Sequence, residues 1–254
     1  MIDIQEIIEI AKKAGDEILK IYEDKTSFES QIDYKADNSP LTVADKASHQ
    51  VIHAALISSF KDIPVLSEEG KEMAYNDRKS WERFWLVDPL DGTKEFIKRN
   101  GEFTVNIALI ENHKPTLGVI YAPVKDTFWT GAENYGAHKI EKGSKTAIEV
   151  NKKEAERTAV RSRSHASPEE EAVLQHYLVT NEISIGSSLK FCMVAEGKAD
   201  VYYRHGPTME WDTAAGQAIL EAAGGRMFIG NDERLPFVYN KENLLNPGFL
   251  CLGW

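Results

Sequence analysis

The sequence has little of three things that would each indicate a class of protein: cysteine, long apolar runs and an excess of basic residues. Its only cysteines are Cys192 and Cys251, both in apolar runs and without CxxC spacing. We interpret them as packing residues of a reducing compartment, not as a disulfide or zinc site. No apolar run approaches the roughly 18 residues that cross a bilayer. The N-terminus lacks a basic region followed by a cleavage site, so no secretion signal is predicted.

The charge balance narrows the choice of partners. Forty acidic residues against thirty basic ones give a formal net charge of −10. Such a surface repels polyanions, which makes nucleic acid polymers and anionic membranes poor partners. We therefore predict a cytoplasmic protein that acts on a small molecule. Peripheral contact with the inner face of the cell membrane stays open.

Hydrophobic periodicity predicts an α+β subdomain over residues 1–150 and an α/β subdomain over 151–254. Apolar residues recur at three- and four-residue steps from Ile4 to Tyr22, which indicates an amphipathic helix. The stretch "LTVADKASHQVIHAALISSF" predicts a strand end that turns into a second helix. Short strands between residues 103 and 140 are typical of an antiparallel meander. After the polar run "NKKEAERT", strands alternate with helices.

Acidic residues stand at the end of an apolar strand or the start of a helix in four places. They are Asp45 in "LTVAD", Glu68 and Glu69 in "VLSEEG", Asp88 and Asp91 in "LVDPLDGT", and Asp212 in "EWDTAAG". Each alone is usually a helix cap or a solvated turn. Together they offer oxygen ligands without a competing Cys/His cluster. Such a set suits a hard cation, Mg²⁺ or Mn²⁺.

The stretch "DPLDGT" carries two of these carboxylates on one turn. Pro89 fixes one φ angle and Gly92 permits an unusual one, so the turn can aim both carboxylates and the Leu90 carbonyl at one point. After the apolar strand "FWLV", such a turn buries charge at a high cost unless cations neutralise it. Gly92 is predicted to open one helix, and Asp212 to cap another from Thr213 to Ala223. Both helix N-termini favour an anion.

Three further motifs are less informative. His49 and His53 lie four residues apart in "HQVIH", but the glutamate of the HExxH zinc motif is missing. "SRSH" lacks the GxSxG turn of serine hydrolases. "GSSLK", residues 186–190, is too short for a P-loop, although a serine-rich turn that opens a helix is a reasonable cradle for an anion.

"DPLDGT" with an upstream "EE", and "WDTAAG" leading into "EAAGG", resemble the signature of the magnesium-dependent, lithium-sensitive phosphatases typified by inositol monophosphatase. Within that superfamily, "KADNSPLTVAD", "SRSHA", "SIGSSLKFCMVAEGKAD" and "LNPGF" are similar to the bacterial 3′(2′),5′-bisphosphate nucleotidases of sulfate assimilation. The similarity is weak from about Ile140 to Thr158 and across the helix after Pro168. It implies a layered α-β-α-β-α sandwich. It also implies hydrolysis of 3′-phosphoadenosine 5′-phosphate, with its sulfated form as a further candidate, by in-line attack of water between two metals.

The resemblance also implies a role for individual residues. Those matched to metal ligands are Glu68, Asp88 and the Leu90 carbonyl for a first Mg²⁺, and Asp88, Asp91 and Asp212 for a second. Those matched to the nucleotide side of the pocket are His165, Ser187, Ser188, Lys190 and Arg204. Thr93 and Asp45 match the pair that orients the attacking water and accepts its proton, Glu68 is also assigned to catalysis, and the Gly92 and Thr93 amides match donors to the phosphate. Glu68, Leu90, Asp91 and Asp212 border the substrate as well. Two or three Mg²⁺ ions per site are implied, with Mn²⁺ as a substitute.

Two alternatives stay open. The chain could be an inositol monophosphatase or a fructose-1,6-bisphosphatase on the same scaffold, although "DGTKEF" stands where the inositol branch commonly carries "DGTTNF". It could instead be an inactive regulator that binds a metal or a nucleotide. The presence of every expected carboxylate and of Thr93 argues against that second alternative.

Overall fold

The computed structural model describes residues 2–24, 32–34, 40–151, 154–162 and 168–254. Its helices are α1 (Ile4–Glu23), α2 (Val43–Ser59), α3 (Tyr75–Arg78), α4 (Thr93–Ile97), α5 (Pro168–His176), α6 (Leu189–Ala195) and α7 (Glu210–Ala222). Its strands are β1 (Ile32–Tyr34), β2 (Pro40–Thr42), β3 (Val65–Ser67), β4 (Arg83–Asp91), β5 (Thr104–Glu111), β6 (Lys114–Ala122), β7 (Thr127–Ala132), β8 (Gly136–Glu141), β9 (Ser144–Ile148), β10 (Arg157–Arg161), β11 (Val179–Ser184), β12 (Val201–Arg204), β13 (Thr208–Met209), β14 (Arg226–Ile229), β15 (Leu245–Asn246) and β16 (Phe249–Leu252).

The larger sheet has seven strands in the order β3-β4-β5-β6-β7-β8-β9. All neighbours are antiparallel except β3 and β4, so the predicted meander is confirmed. Strand β9 was not predicted from the sequence. Residues 144–147 are exposed, so the strand lacks the apolar alternation that marks a half-buried strand.

The smaller sheet has five strands in the order β11-β10-β12-β16-β14. Strands β11, β10 and β12 are parallel, and β16 pairs antiparallel with both β12 and β14. The strand and helix alternation predicted for this half is confirmed. The proposed subdomain boundary near residue 150 stays a prediction, because one core cluster takes residues from both sheets.

Helices and sheets stack in five layers. Helices α1 and α2 pack on one face of the seven-stranded sheet, α6 and α7 fill the space between the two sheets, and α5 packs on the outer face of the smaller sheet. Each layer buries the apolar side of its neighbour, as layered domains require. The α-β-α-β-α sandwich expected from the sequence is therefore confirmed.

Helix α7 lies unusually close to the larger sheet because glycines face it. A Cβ atom on Gly118 of β6 would stand 2.4 Å from the Ala215 carbonyl oxygen, and one on Gly131 of β7 would stand 2.6 Å from the Ile219 Cα. The helix contributes small residues such as Ala215 and Ala218 at this contact. This close packing fixes where the first turn of α7, which carries Asp212, meets the end of β4.

Two element boundaries predicted from the sequence are wrong. Strand β4 does not end at Val87 but continues through the aspartates, because Asp91 pairs with Thr104 beyond an irregularity in register after Asp88. Helix α7 begins at Glu210, three residues earlier than expected.

Cys192 and Cys251 are buried free thiols, as the sequence indicated. Burial raises the pKa of both thiols well above the usual range. Their role as packing residues is thus confirmed. In the part of the chain that the structure describes, no helix combines the length and the apolar character needed to cross a bilayer.

Candidate active site

Three carboxylates from three elements meet at one point. Glu68 follows β3, Asp88 lies in β4 and Asp212 lies in the first turn of α7, and each presents an oxygen within 4.8 Å of the others. The parallel pairing of β3 with β4 brings the first two together, and the Glu68 amide donates to the Val87 carbonyl at 3.1 Å. The close packing of α7 on the sheet supplies the third.

The chain between Asp88 and Asp91 is held in its turn by its own hydrogen bonds. The Leu90 amide donates to Asp88 Oδ1 at 3.0 Å, and Ser48 Oγ of α2 donates to the Pro89 carbonyl at 2.7 Å. Gly92 follows with a φ of 90°, in the left-handed region that favours glycine. A Cβ there would also stand 3.0 Å from Ser187 Cβ, so the glycine is needed for space as well.

Asp212 has a different place in its helix from the one predicted. It is the third residue of α7 and not its cap, and its Oδ2 accepts a hydrogen bond from the Met209 amide at 2.9 Å in a capping-box arrangement. The ordinary explanation for an aspartate at a helix start is therefore partly correct. One carboxylate oxygen serves the helix terminus, while the residue also lines the cavity described below.

The carboxylates repel one another in a buried place. Burial raises the pKa of Asp88 well above its usual range, and the charges of Glu68, Asp91 and Asp212 raise it further. Burial likewise raises the pKa of Asp212, with Asp91 and Glu68 adding to the effect. A cluster of oxygen donors that is costly to ionise fits a hard divalent cation such as Mg²⁺. The residues present therefore fit the metal that the sequence predicted.

Asp91 is tied to the other half of the chain. Its Oδ2 accepts a hydrogen bond from the Ser188 amide at 2.5 Å. Burial raises its pKa, while the charge of Lys190 opposes that rise. Asp91 is not one of the three carboxylates grouped above. Its predicted role as a metal ligand stays a prediction.

Thr93 and Asp45 are brought together as predicted. Thr93 Oγ donates toward Asp45 Oδ1 at 3.3 Å and lies 3.4 Å from the Leu90 carbonyl oxygen. Asp45 Oδ2 accepts from both the amide and the hydroxyl of Thr42, at 2.8 and 2.5 Å, which completes the capping box of α2. Burial raises the pKa of Asp45 to about 6. The contribution of Thr42 was missed, although the spacing in "TVAD" is a readable capping signal.

A cavity of about 480 Å³ opens beside the carboxylates. It brings together the site residues predicted from the sequence with the exception of Asp45, which lies behind Thr93, and of His165, which is outside the described residues. Burial lowers the pKa of Lys190 to about 8, and its ammonium donates to the Ser187 carbonyl at 2.6 Å. Arg204 Nε is buried, and none of the described residues accepts a hydrogen bond from it.

The cavity also has walls that sequence reasoning did not identify. They are formed by Phe191, Tyr202, Pro207, Thr208, Met209, Trp211, Leu245 and Phe249. These residues carry no motif of a reacting group, and only the tertiary structure brings them to one surface. They add apolar surface to a cavity that also holds the carboxylates.

Ser187 and Ser188 have different surroundings although they are neighbours. Ser188 is buried, and its hydroxyl donates to Asn106 Oδ1 at 2.8 Å and lies 2.7 Å from Thr104 Oγ. Its amide holds Asp91, so Ser188 connects β5 with a site carboxylate. Direct contact between its hydroxyl and a substrate stays a prediction. Ser187 is half-buried and has a φ of 49°.

This difference predicts different kinetic effects for the two serines. We expect Ser188→Ala to lower kcat, because it removes the hydroxyl bonds to β5 that hold the Ser188 backbone amide in place against Asp91. We expect Ser187→Ala to raise KM with little change in kcat. About tenfold is expected for each, the effect of losing roughly one hydrogen bond of 1.4 kcal/mol. Steady-state phosphate release by the two purified variants measures both quantities. Equal changes in KM would contradict the distinction.

The buried carboxyls also predict how stability depends on pH without metal. A carboxyl whose pKa is raised in the folded state does not destabilise the protein below its unfolded pKa, because it is protonated in both states. Above its folded pKa it destabilises the folded state by the full amount. For Asp45 this window runs from 3.8 to about 6, and for Asp88 and Asp212 it extends higher. In EDTA, the Tm should therefore fall as the pH rises from about 5 to about 8.

Excess Mg²⁺ supplies the internal comparison for that measurement. It should raise the Tm more at the upper end of the range than at the lower end, because it binds the ionised carboxylates. Thermal unfolding with and without EDTA, across one buffer series, tests both statements. A metal effect that is the same at both ends of the range would refute them.

Comparison with known proteins identifies the class of this one. A sequence profile described as the inositol monophosphatase family matches residues 3–248. The chain belongs to the inositol monophosphatase family, and proteins of this family are generally magnesium-dependent phosphatases. The resemblance stated from the sequence motifs is thereby confirmed.

Individual relatives are more specific. The chain is 48% identical over 246 residues to the 3′(2′),5′-bisphosphate nucleotidase CysQ of Escherichia coli strain K12, a match that covers 97% of this chain and 98% of that protein. The solved structure of CysQ from Bacteroides thetaiotaomicron superposes with a TM-score of 0.86 at 47% identity, over 98% of this chain and 96% of that one. The suhB protein of Bartonella henselae, at 23% identity and a TM-score of 0.79 over 98% and 93% of the two chains, shares the fold.

Proposed function

We propose that this protein hydrolyses 3′(2′),5′-bisphosphonucleosides, foremost 3′-phosphoadenosine 5′-phosphate, to the 5′-nucleotide and phosphate. The observation that carries the proposal is a group of three carboxylates, the buried Asp88 and the half-buried Glu68 and Asp212, beside a cavity that also contains Lys190 and Arg204. The carboxylates suit a metal-assisted phosphatase. The positively charged side chains of Lys190 and Arg204 suit a second phosphate on the same substrate. The similarity to nucleotidases over nearly the whole chain supports this choice.

We assign the metal ligands as the sequence motifs suggest. Glu68, Asp88 and the Leu90 carbonyl would hold one Mg²⁺, and Asp88, Asp91 and Asp212 would hold another. The same proposal includes a third Mg²⁺ ion and the replacement of Mg²⁺ by Mn²⁺. When bound, the ions would neutralise the phosphate and make a bound water more acidic. Lithium is expected to inhibit by occupying one of these positions after cleavage and slowing product release.

The protein's own residues then orient the reactants. Because Thr93 Oγ donates its hydrogen toward Asp45, its lone pairs remain available to accept a hydrogen bond from the attacking water. Asp45, whose pKa is raised by burial to about 6, is ionised near neutral pH yet basic enough to take up the proton. We assign the Gly92 and Thr93 amides, at the start of α4, as donors to the phosphate oxygens.

Substrate choice depends on groups away from the reacting phosphate. The Arg204 guanidinium is a planar fork that suits a phosphate oxygen pair, and the Lys190 ammonium adds a second positive charge. Ser187 offers a hydroxyl on the same side of the cavity. We also assign His165 to substrate binding, on the basis of the sequence motif "SRSHA" alone. Fructose and inositol phosphates lack the flat base that the apolar cavity wall could cover.

A phosphate-release assay with Mg²⁺ tests the function. The substrates are 3′-phosphoadenosine 5′-phosphate, inositol 1-phosphate and fructose 1,6-bisphosphate, each repeated with excess EDTA and with LiCl. Two charge-assisted contacts contribute roughly 3–6 kcal/mol, so the nucleotide should exceed inositol 1-phosphate by at least about 100-fold in kcat/KM. A faster reaction with either sugar phosphate would overturn the substrate assignment. Mg²⁺ binding without turnover of any substrate would indicate a regulator.

The cellular location belongs to the same proposal. Two buried free thiols and a net charge of −10 support the cytoplasm rather than an anionic membrane surface. Fractionation of cells that express the protein would test this. Recovery in the membrane fraction at physiological salt would contradict it.

A further inference from the structure

The first and last residues of the sequence motif "LNPGF", residues 245–249, line the cavity, but its asparagine has no role in the site described so far. Its asparagine, Asn246, is buried, with 2% of its surface exposed. Strand β15, which contains it, pairs with the short strand β13 directly before α7, so that Thr208 faces Asn246 and Met209 faces Leu245. The motif therefore lies against the chain segment that leads into Asp212.

Asn246 binds that segment through hydrogen bonds from its side-chain amide. Its Nδ2 donates to the Met209 carbonyl at 2.8 Å, to Thr213 Oγ at 3.1 Å and to Thr208 Oγ at 3.3 Å. Met209 is also the residue whose own amide donates to Asp212 Oδ2. The carbonyl and the amide of one residue are thus held by Asn246 on one side and by Asp212 on the other.

A lysine fixes which way the Asn246 amide points. Lys241 Nζ donates to Asn246 Oδ1 at 2.9 Å and to Glu210 Oε1 at 2.7 Å. Because an ammonium can only donate, the amide oxygen has to face Lys241 and the amide nitrogen has to face Met209. The lysine is itself anchored by a fully buried carboxylate two residues before Asp212 in the same helix turn.

We propose that Asn246 is a positioning residue that sets the orientation of Asp212 toward Glu68 and Asp88. The Met209 amide occupies one acceptor position of Asp212 Oδ2, so the direction of the remaining lone pairs of this carboxylate depends on where Met209 is held. The proposal rests on the proposed function only in that Asp212 serves as a metal ligand. Groups that orient ligands typically change metal affinity by about 10–100-fold when removed.

Asn246→Asp tests this with little change in shape. The variant keeps an oxygen that accepts from Lys241. It replaces the amide nitrogen that donates to the Met209 carbonyl by a carboxylate oxygen, which repels that carbonyl oxygen. Asn243→Asp is the matched control, because Asn243 is an exposed asparagine in the same loop whose Oδ1 accepts only from the Leu245 amide among the contacts described. Titration calorimetry with Mg²⁺ alone, on the intact folded protein without substrate, measures the affinity directly.

We expect the Mg²⁺ Kd of Asn246→Asp to rise at least about tenfold and that of Asn243→Asp to stay within about twofold. Activity of Asn246→Asp at low Mg²⁺ should fall and recover in part at high Mg²⁺. A lower Tm together with an unchanged Mg²⁺ Kd would show a merely structural role and overturn the proposal.

Two further arms keep the result interpretable. If Asn246→Asp does not fold, Asn246→Ala removes the same donors without adding charge, and the same criterion on the Mg²⁺ Kd applies to it. Wild-type protein that binds Mg²⁺ but releases no phosphate would contradict the proposed function alone. The calorimetric comparison of the variants still decides the role of Asn246 in that case.

Discussion

Replacing Asp88 by asparagine is expected to abolish Mg²⁺-dependent phosphate release and, at the same time, to stabilise the metal-free protein. Activity should fall because Asp88 is the most buried of the three grouped carboxylates and is assigned to both metal ions. A loss of at least about 10³-fold in kcat/KM is expected, or roughly 4 kcal/mol of transition-state stabilisation. Stability should rise because burial and four neighbouring carboxylates make the ionised form costly.

The two effects have opposite signs, which makes the test specific. Asparagine keeps an oxygen that can accept from the Leu90 amide, so the turn is preserved. A gain in the free energy of unfolding in EDTA is expected, because burial raises the pKa of Asp88 and makes its charged form costly. It should shrink below the window in which the carboxyl ionises, since a protonated Asp88 carries no charge to remove.

An exposed aspartate provides the control. Asp62 lies on the surface after α2, and Asp62→Asn should change neither activity nor the Tm in EDTA. Phosphate release and thermal unfolding of both variants are measured in the same buffers. A destabilised Asp88→Asn protein would mean that the carboxylate supports the fold, and the metal assignment would lose its central residue.

The second large effect concerns substrate choice. Arg204→Ala is expected to raise KM for 3′-phosphoadenosine 5′-phosphate by about 10–100-fold while leaving the turnover of a small phosphomonoester such as p-nitrophenyl phosphate nearly unchanged. Arg204 lines the cavity, and its buried Nε has no acceptor among the described residues, so a guanidinium donor is available to an anionic ligand. A charge-assisted hydrogen bond contributes roughly 1.5–3 kcal/mol.

A competing explanation makes a different prediction for the same variant. Burial raises the pKa of both Asp91 and Asp212, and the positive charge of Arg204 opposes that rise, so the loss of Arg204 would also change the metal site itself. In that case both substrates would lose activity equally, and the nucleotide assignment of Arg204 would be withdrawn. Arg234→Ala is the matched control, because Arg234 is an exposed arginine paired with Asp232 on the surface. It should leave both activities unchanged.

How far the sequence could predict the site depends on the distance over which its signals act. The turn chemistry of "DPLDGT" was readable because Pro89 and Gly92 restrict their own backbone, and Gly92 indeed has a positive φ. The Thr93–Asp45 pair was implied by family motifs and is present at hydrogen-bond distance. Element boundaries were less accurate, since pairing with β5 carries β4 past the position where the apolar run ends.

Residues that act through others were not predicted. Ser188 looked like a nucleotide contact because it stands beside Ser187 in a serine-rich turn, yet its hydroxyl bonds to β5 and its amide to Asp91. Asn246 stood in a motif without an evident task. The contacts that give them these roles, Ser188 with Asp91 and Asn246 with Met209, join residues more than 30 positions apart in the chain, and no local pattern records such a contact.

The sequence by itself determined the periodicities that make the helices and strands, the oxygen-only character of the candidate ligands, the acidic net charge and the family. These properties depend only on residue types and on short spacings along the chain, so they can be recognised without knowledge of the fold. Only the tertiary structure decided which carboxylates meet, which oxygen of Asp212 accepts the helix-capping hydrogen bond, and which serine hydroxyl is bonded to β5. Those facts depend on how closely α7 packs against a glycine-containing sheet, because a shift of a few ångströms there would separate Asp212 from Glu68 and Asp88.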